Sequence, residues 1–114
     1  MSDCIFCRIV SGEIPSSRVY EDDLCIAFDD LTPQAPTHIL VIPRQHLDSL
    51  DKADTPHKDM LGHLLITSAE IARQRGFSDD GYRVVINTNA DGGQTVFHLH
   101  VHLLAGRPFI FPPG

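Results

Sequence analysis

Three histidines at alternate positions stand out near the C-terminal end of the sequence. The run His98-Leu99-His100-Val101-His102 alternates imidazoles with apolar side chains. Because successive side chains of a strand point to opposite faces, the three imidazoles would share one face of a strand. Imidazoles are costly to bury without partners, so a chance cluster of core or surface histidines explains the run poorly. Two kinds of chemistry fit it: ligation of zinc or iron, and nucleophilic attack by one imidazole that its neighbours orient.

The residues just before this run favour the second kind of chemistry. Residues 91–95 read Asp-Gly-Gly-Gln-Thr. The glycines let backbone N–H groups approach an anion, and Thr95 adds a hydroxyl. Asn87, at the end of the preceding predicted strand, can donate from its amide. These groups suit a phosphate better than a metal ion, and a neutral imidazole, with a usual pKa of about 6.5, is largely unprotonated at neutral pH.

Two cysteines form a second pattern that could do chemistry. Cys4 and Cys7 have the C-x-x-C spacing of a zinc knuckle, and no strand precedes them as a redox motif would require. A tetrahedral structural site needs two further ligands. The candidates are His38, His46, His57, His63 and the three histidines of the run, and the competing interpretation is a short helix with two thiols and no metal. Cys25 lies in an apolar run and is expected to be a buried thiol.

The elements that must position these groups predict a small α+β fold. The predicted strands span residues 18–21, 24–29, 38–43, 82–87 and 96–104, and the predicted helices span residues 4–10, 46–50 and about 55–75. In the long helix we expect Thr55 as N-cap, Pro56 in the first turn and Gly76 after the last residue. Its expected apolar stripe is Leu61, Leu64, Leu65, Ser68, Ala69 and Ala72. Five strands with short connections indicate a mostly antiparallel sheet.

Length and composition set the outer limits on function. The 114 residues, 42% of them apolar, predict one domain over residues 1–114 with one small core. The formal net charge of −6 argues against sequence-independent nucleic-acid binding, which needs a basic face, but leaves room for a single nucleotide. No apolar stretch is long enough to span a bilayer, and the first residues show no secretory signal. We therefore expect a cytoplasmic protein with no membrane or nucleic-acid partner.

Further motifs complete a pattern that extends over almost the whole chain. They are Ile14-Pro15, Phe28-Asp29-Asp30-Leu31, residues 33–38 (Pro-Gln-Ala-Pro-Thr-His), residues 92–97 (Gly-Gly-Gln-Thr-Val-Phe) and the terminal Pro112-Pro113-Gly114. With the alternating histidines, they make the sequence resemble the histidine-triad (HIT) superfamily, in its Hint branch of purine nucleoside phosphoramidases. The resemblance implies a five-stranded sheet with one long helix. It also implies a homodimer, paired through the long helix and a sheet edge into a continuous ten-stranded sheet.

The resemblance implies a reaction and a role for each matched residue. His100 would attack the phosphorus of a nucleoside 5'-phosphoramidate, expel the amine and form a nucleotidyl-imidazole that water hydrolyses. Thr95 stands where the family usually has Ser and would keep a hydroxyl near the leaving group. The other implied contacts are Asn87, Gln94 and His102 at the phosphate, His38 in the network behind the site, Ile14, Phe28 and Leu31 beside the purine, and Asp30 at the ribose hydroxyls.

Many proteins of this family also carry the cysteine pair, with zinc completed by two histidines. The matching positions here are His46, which follows the strand ending in Ile-Pro, and His98. We therefore expect a structural Zn²⁺ held by Cys4, Cys7, His46 and His98. Other family members lack the cysteines, so this ion would not be required for the reaction. The two histidines of the long helical segment, His57 and His63, are expected to face solvent or an interface.

Two functions of other classes stay open at this point. In the first, the protein is a zinc hydrolase whose three alternating histidines hold a catalytic metal with an open coordination position. In the second, it is a purine mononucleotide-binding or interaction module without catalysis.

An apolar tail that contains Phe109, Ile110 and Phe111 has little left to cover it in so small a domain, which indicates a partner surface.

Overall fold

The computed structural model describes residues 3–114, which fold around one five-stranded antiparallel sheet. In chain order the elements are helix α1 (Ile5–Val10), strands β1 (Arg18–Glu21), β2 (Cys25–Asp29) and β3 (Thr37–Pro43), helix α2 (Lys58–Arg75), and strands β4 (Tyr82–Val85) and β5 (Val101–Ala105). The strand order is β1-β2-β3-β5-β4, with every neighbouring pair antiparallel. The predicted fold class is confirmed. Residues 1 and 2 of the predicted domain lie outside the described part of the chain.

The sheet is covered by apolar side chains on both faces. On one face Val41 and Val101 belong to a cluster with Leu64 and Ile71 of α2. On the other face the sheet residues Ile26, Phe28, Leu40 and Ile42 pack with Phe6 and Ile9 of α1. This two-sided burial explains why β3 is an almost unbroken apolar run rather than an alternating one. The sheet therefore has an α2 face and an α1 face, and the candidate site lies on the latter.

Helix α2 starts and packs slightly differently from the prediction. A 3-10 turn over Thr55–His57 precedes it, and Asp54 rather than Thr55 caps that turn, because its side chain and that of His57 accept each other's backbone N–H groups. Gly76 ends α2 with a φ of 83°, as predicted. The buried stripe is Leu64, Thr67, Ser68, Ile71 and Ala72, so the predicted stripe is wrong for Leu65, which is exposed.

No helix within residues 3–114 is long and apolar enough to cross a membrane.

Two expected elements are replaced by irregular backbone that is bonded across the fold. The helix predicted over residues 46–50 is wrong, since only a 3-10 turn at Leu50–Lys52 forms there. The carbonyl of Leu47 instead accepts the backbone N–H of Leu99 at 2.7 Å. The final strand begins at Val101 rather than at residue 96, and Leu99 just before it bonds to this irregular segment and not to a regular ladder.

The packing of α2 on the sheet predicts a large difference between two leucines. Leu64 has 0% of its surface exposed, whereas Leu24, in the turn between β1 and β2, has 51% exposed. We expect Leu64→Ala to lower the free energy of unfolding by about 2–5 kcal/mol, because a cavity replaces buried methyl groups. The matched control Leu24→Ala should cost about 0.5 kcal/mol or less. Urea denaturation measures both, and equal losses would contradict the assignment of the core.

Candidate active site and metal centre

A cleft of about 670 Å³ opens on the α1 face of the sheet. Part of its lining, the apolar wall, combines sheet residues Phe28 and Leu40 with side chains of α1. The polar wall is made of Asp30, His38, Gly93, Thr95, His100 and His102. An apolar lining with a few convergent polar groups is the usual composition of a small-molecule site.

The alternating histidines share the α1 face, although only part of the run is a strand. Leu99, Val101 and Leu103 all lie in the apolar cluster on the α2 face. The rings of His98 and His100 instead approach Phe6 of α1 edge-on, with ring centroids 5.9 and 5.1 Å from that of Phe6. The alternation therefore persists through the irregular residues that precede β5.

Hydrogen bonding fixes which nitrogen of His100 is free. Its Nδ1 lies 2.7 Å from the carbonyl oxygen of His98, and a carbonyl only accepts, so Nδ1 carries the hydrogen. In the neutral ring, Nε2 then holds the lone pair. His100 lines the cleft, although only 7% of its surface is exposed. His100 is thus oriented as a nucleophile or a base.

The ring of His102 carries its hydrogen on the other nitrogen, Nε2. A chain of hydrogen bonds that starts at a backbone amide fixes it there. The N–H of Gln34 donates to Nδ1 of His38 at 3.0 Å, so that nitrogen has no hydrogen. The hydrogen of neutral His38 is then on Nε2, which donates to Nδ1 of His102 at 2.9 Å. His102 must therefore carry its own hydrogen on Nε2. The cleft holds one imidazole that donates beside one that accepts, with ring centroids 5.0 Å apart.

Burial keeps both members of this chain neutral. Desolvation is the main cause that lowers the pKa of His38, and the nearby Asp30 opposes it. For His102, burial followed by the neighbouring His100 and His38 lowers the pKa from 6.5 to about 4. The directions of these hydrogen bonds, which assume neutral rings, therefore hold at neutral pH.

The two cysteines meet two histidines at the N-terminal end of α1. Sγ of Cys4 lies 3.3 Å from Nδ1 of His98, and Sγ of Cys7 lies 3.3 Å from Nδ1 of His46 and 3.5 Å from Nδ1 of His98. A tetrahedral zinc with ordinary Zn–S and Zn–N bonds separates sulfur and nitrogen ligands by about 3.5 Å. The four ligand atoms all lie within 4.8 Å of one another. Their spacing fits one zinc ion.

The outer nitrogens of both histidines support the same assignment. Nε2 of His98 lies 2.9 Å from the carbonyl oxygen of Pro43, and Nε2 of His46 lies 2.7 Å from a carboxylate oxygen of Asp48. Both outer nitrogens donate to these oxygens, so each Nδ1 keeps a lone pair that faces the sulfurs. Zinc-bound histidines usually show this arrangement, in which a second partner fixes the tautomer. The donor set is therefore suited to zinc in its chemistry as well as its spacing.

Two other clusters of ligand-type residues are hydrogen-bonded networks. His63 donates to Asp22 at 2.7 Å, and His38 donates to His102 at 2.9 Å. Two nitrogen or oxygen ligands of a tetrahedral zinc would be about 3.3 Å apart, so these shorter distances fit a shared hydrogen better than a shared ion. His63, expected to face solvent or an interface, instead ties α2 to the turn between β1 and β2 through Asp22.

The glycine-rich segment forms a tight turn, and Gln94 braces it. A Cβ on Gly92 would lie 2.4 Å from the carbonyl oxygen of Thr88, so only glycine fits there. Nε2 of Gln94 donates to the carbonyls of Asp48 and Val96, and its backbone N–H donates to that of Asn89. All its N–H groups are thus used within the protein. The expected contact of Gln94 with a phosphate stays a prediction, and what the structure shows is its bracing of the turn.

The structure places the other expected residues unevenly around the cleft. Thr95, Phe28, Asp30 and Leu31 line it, whereas Asn87 and Ile14 do not. Ile14 packs against the apolar cluster on the α1 face, and Asn87 lies two residues beyond the end of β4. The cleft is also lined by residues of α1 that the sequence had not indicated as site residues, namely Ile5, Phe6 and Ile9. Their signal was the cysteine pair itself: if Cys4 and Cys7 meet His98, the intervening side chains must lie beside the histidine run.

The chain is similar to known proteins both in sequence and in fold. The chain matches the HIT domain over residues 11–109. It is 49% identical to the purine nucleoside phosphoramidase of Escherichia coli K12, over 93% of this chain and 89% of that protein. It is 53% identical to a 14 kDa zinc-binding protein of Brassica juncea, over 98% of this chain and 100% of that protein. A HIT family hydrolase from Legionella pneumophila superposes with a TM-score of 0.96 at 45% identity, covering 98% of this chain and 100% of that one.

The half-buried, neutral His102 predicts a loss of stability in mild acid. Its pKa is about 4 in the folded state and 6.5 in the unfolded chain, so the unfolded chain binds the proton first. Its contribution is therefore complete above pH 6.5 and is lost as the pH falls towards 4, by on the order of 3 kcal/mol. We expect His102→Gln to flatten the dependence of unfolding free energy on pH in this window, as measured by urea denaturation. Parallel profiles of the two proteins would contradict the prediction.

Proposed function

Since the chain belongs to the HIT domain family, we propose that it is a hydrolase of purine nucleoside 5'-phosphoramidates that works through a nucleotidyl-His100 intermediate. The observation that carries the proposal is the hydrogen bond from Nδ1 of His100 to the carbonyl of His98, which leaves the lone pair of Nε2 at the cleft. The identity to the phosphoramidase of E. coli supports the type of bond that is cleaved.

The reaction would proceed in two displacements at phosphorus. Nε2 of His100 attacks, a nitrogen–phosphorus bond to the ring forms, and the bond to the amine breaks; the amine takes up a proton from solvent as it leaves. Water then attacks the same phosphorus, gives its proton to solvent, and releases the nucleoside monophosphate and the neutral ring. Covalent catalysis of this kind divides one difficult displacement into two easier ones.

The neighbouring groups suit the charge that develops on the phosphoryl oxygens. Nε2 of His102 would donate to one of them, held in place by His38, which acts as a positioning residue. The Thr95 hydroxyl lines the same wall and would serve the leaving group. Donors that are already oriented stabilise a transition state without reorganisation. We propose no direct contact for Gln94 and assign it the bracing role.

The nucleoside would occupy the other half of the cleft. Phe28 and the side chains of α1 offer an apolar surface to the purine, with Leu31 at the rim and Ile14 behind this wall. One carboxylate oxygen of Asp30 accepts the N–H of Thr32 at 2.8 Å, while the other lies 3.5 Å from His38. The second oxygen is therefore available to accept from ribose hydroxyls. We keep Asn87 as a proposed phosphate ligand through its side-chain amide.

We assign a structural role to the zinc that Cys4, Cys7, His46 and His98 would hold. When bound, the ion would cross-link α1 to the residue whose carbonyl orients His100. Four protein ligands leave no open coordination position, which is the usual difference between structural and catalytic zinc. The three alternating histidines do not converge on one ion, since only His98 lies in this group. This geometry disfavours the zinc-hydrolase interpretation.

We also propose that the protein forms a homodimer through α2 and the free edge of β4. Leu65 and Ile66 of α2 and Val84 of β4 are large apolar side chains exposed at these two elements. The tail adds Ile110 and Phe111, which are 79% and 86% exposed. Large exposed apolar side chains that form one surface typically mark a protein interface, and we propose that these residues do so.

The proposal predicts that one histidine is required for turnover but not for binding. With adenosine 5'-phosphoramidate as substrate, we expect His100→Ala to reduce kcat at least about 1,000-fold because the nucleophile is absent. Binding of the monophosphate, measured by calorimetry, should change by less than about tenfold. His57→Ala, which removes a histidine at the start of α2, is the matched control and should retain activity. Wild-type activity in His100→Ala, or no covalent adduct on His100 after rapid quenching, would refute the mechanism.

A second prediction separates structural from catalytic zinc. Removal of the metal with a chelator should leave kcat at saturating substrate within about threefold of that of the metal-loaded protein, because no chemical step uses the ion. The melting temperature should fall, since a cross-link between α1 and the histidine run is lost. Turnover that disappears while the protein stays folded, and returns with zinc, would instead establish the zinc-hydrolase alternative.

A further inference from the structure

Helix α1 contributes to two sites at once. At its N-terminal end Cys4 and Cys7 join the zinc ligand set, and Cys4 also caps the helix by accepting the N–H of Cys7 at 3.3 Å. Along its length Ile5, Phe6 and Ile9 line the apolar wall of the cleft. The same six-residue helix is therefore both part of the metal centre and part of the nucleotide cleft.

So short a helix is stable only if contacts with the rest of the protein hold both of its ends. An isolated helix of six residues is unstable in water, because helices shorter than about 12 residues are marginal even in favourable sequences. At its C-terminal end a guanidinium nitrogen of Arg18 donates to the carbonyls of Ile9 and Val10, at 2.7 and 3.3 Å. At its N-terminal end the anchors are the sulfur–histidine contacts of the metal centre. Metal binding would decide how firmly this second end is held.

Two contacts lead from the metal centre to the reacting groups. The ring of Phe6, next to the ligand-bearing turn, lies against His100 with centroids 5.1 Å apart and planes at 88°. The carbonyl of the metal ligand His98 accepts the hydrogen of His100 Nδ1. Phe6 also packs edge-on against Phe28 of the sheet at 5.7 Å, so it connects the two halves of the apolar wall.

We propose that zinc binding and nucleotide binding are coupled through α1, so that each strengthens the other. The inference rests on the proposed function, since it requires the cleft to bind a nucleotide. Without metal, α1 would be docked for only a fraction of the time, and the apparent nucleotide affinity would fall in proportion to that fraction. Thermodynamic linkage then requires the nucleotide to raise the affinity for zinc by the same factor. The metal would thus regulate how well the cleft binds its ligand, without entering the reaction.

Two binding measurements test the coupling, and neither depends on turnover. The affinity for adenosine 5'-monophosphate is measured by calorimetry on zinc-loaded and chelated protein, and the affinity for zinc is measured with and without the nucleotide. We expect both affinities to change by the same factor, about tenfold, which is within the usual range of such couplings. Hydrogen exchange of residues 5–10 should be slowed by either ligand and most by both together.

Two variants locate the coupling in α1. Cys4→Ser removes a zinc ligand but keeps a side-chain oxygen that can cap the helix, so its nucleotide affinity should match that of chelated wild-type protein and should not respond to zinc. Phe6→Leu keeps all four ligands and an apolar side chain, so it should bind zinc while the coupling factor falls towards one. Should Cys4→Ser fail to fold, the chelated wild-type protein provides the same comparison.

The outcomes distinguish the two proposals. Equal nucleotide affinity with and without zinc would overturn the coupling and leave the proposed function intact. Failure to bind zinc at all would overturn the coupling and the proposed structural zinc, and leave the proposed reaction intact. Failure to bind the nucleotide in either state would overturn the coupling together with the proposed function. An unchanged coupling factor in Phe6→Leu would show that the connection does not pass through this side chain.

Discussion

The site depends on one constraint, which is that each imidazole of the histidine run, buried or half-buried, must find a hydrogen-bond partner. An unpaired buried polar group costs about 1–3 kcal/mol, so the partners fix the hydrogens on the rings. Pro43 leaves His98 with a lone pair for the sulfurs, and the carbonyl of His98 leaves His100 with a lone pair for the cleft. His38 leaves His102 with a hydrogen to donate. Three chemically identical side chains thereby acquire three different capacities.

Part of this arrangement could be predicted from the sequence and part could not. The shared face of the histidines follows from the apolar residues between them, because Leu99 and Val101 had to reach the core whether or not the backbone formed a strand. The start of β5 did not follow, since the backbone N–H of Leu99 bonds to a distant segment that has no periodicity of its own. The helix expected over residues 46–50 was wrong for the same reason: the carbonyls of that segment serve Leu99 and Gln94.

The metal centre shows the same division between local pattern and tertiary contact. The cysteine spacing alone supplied two ligands and left seven histidines as candidates, and only the family resemblance selected His46 and His98. The geometry now supplies a physical reason for that pair, because each has an outer partner that points its Nδ1 at the sulfurs. The contribution of α1 to the cleft was missed because an apolar turn of helix is usually ordinary core, and the helix is too short for its pattern to show two different faces.

The neutral state of His102 connects burial with the proposed chemistry. In the nucleotidyl-His100 intermediate the ring carries a hydrogen on Nδ1 and phosphorus on Nε2, and is therefore positively charged; the carbonyl of His98 faces that charge. A second positive ring at 5.0 Å would oppose it by about 3 kcal/mol at an effective dielectric constant of about 20. Because burial lowers the pKa of His102 to about 4, this repulsion is absent at neutral pH while the Nε2 hydrogen remains for the phosphate. The desolvation that makes the histidine run costly to fold is thus the property that would let two adjacent imidazoles act as nucleophile and donor in the proposed reaction.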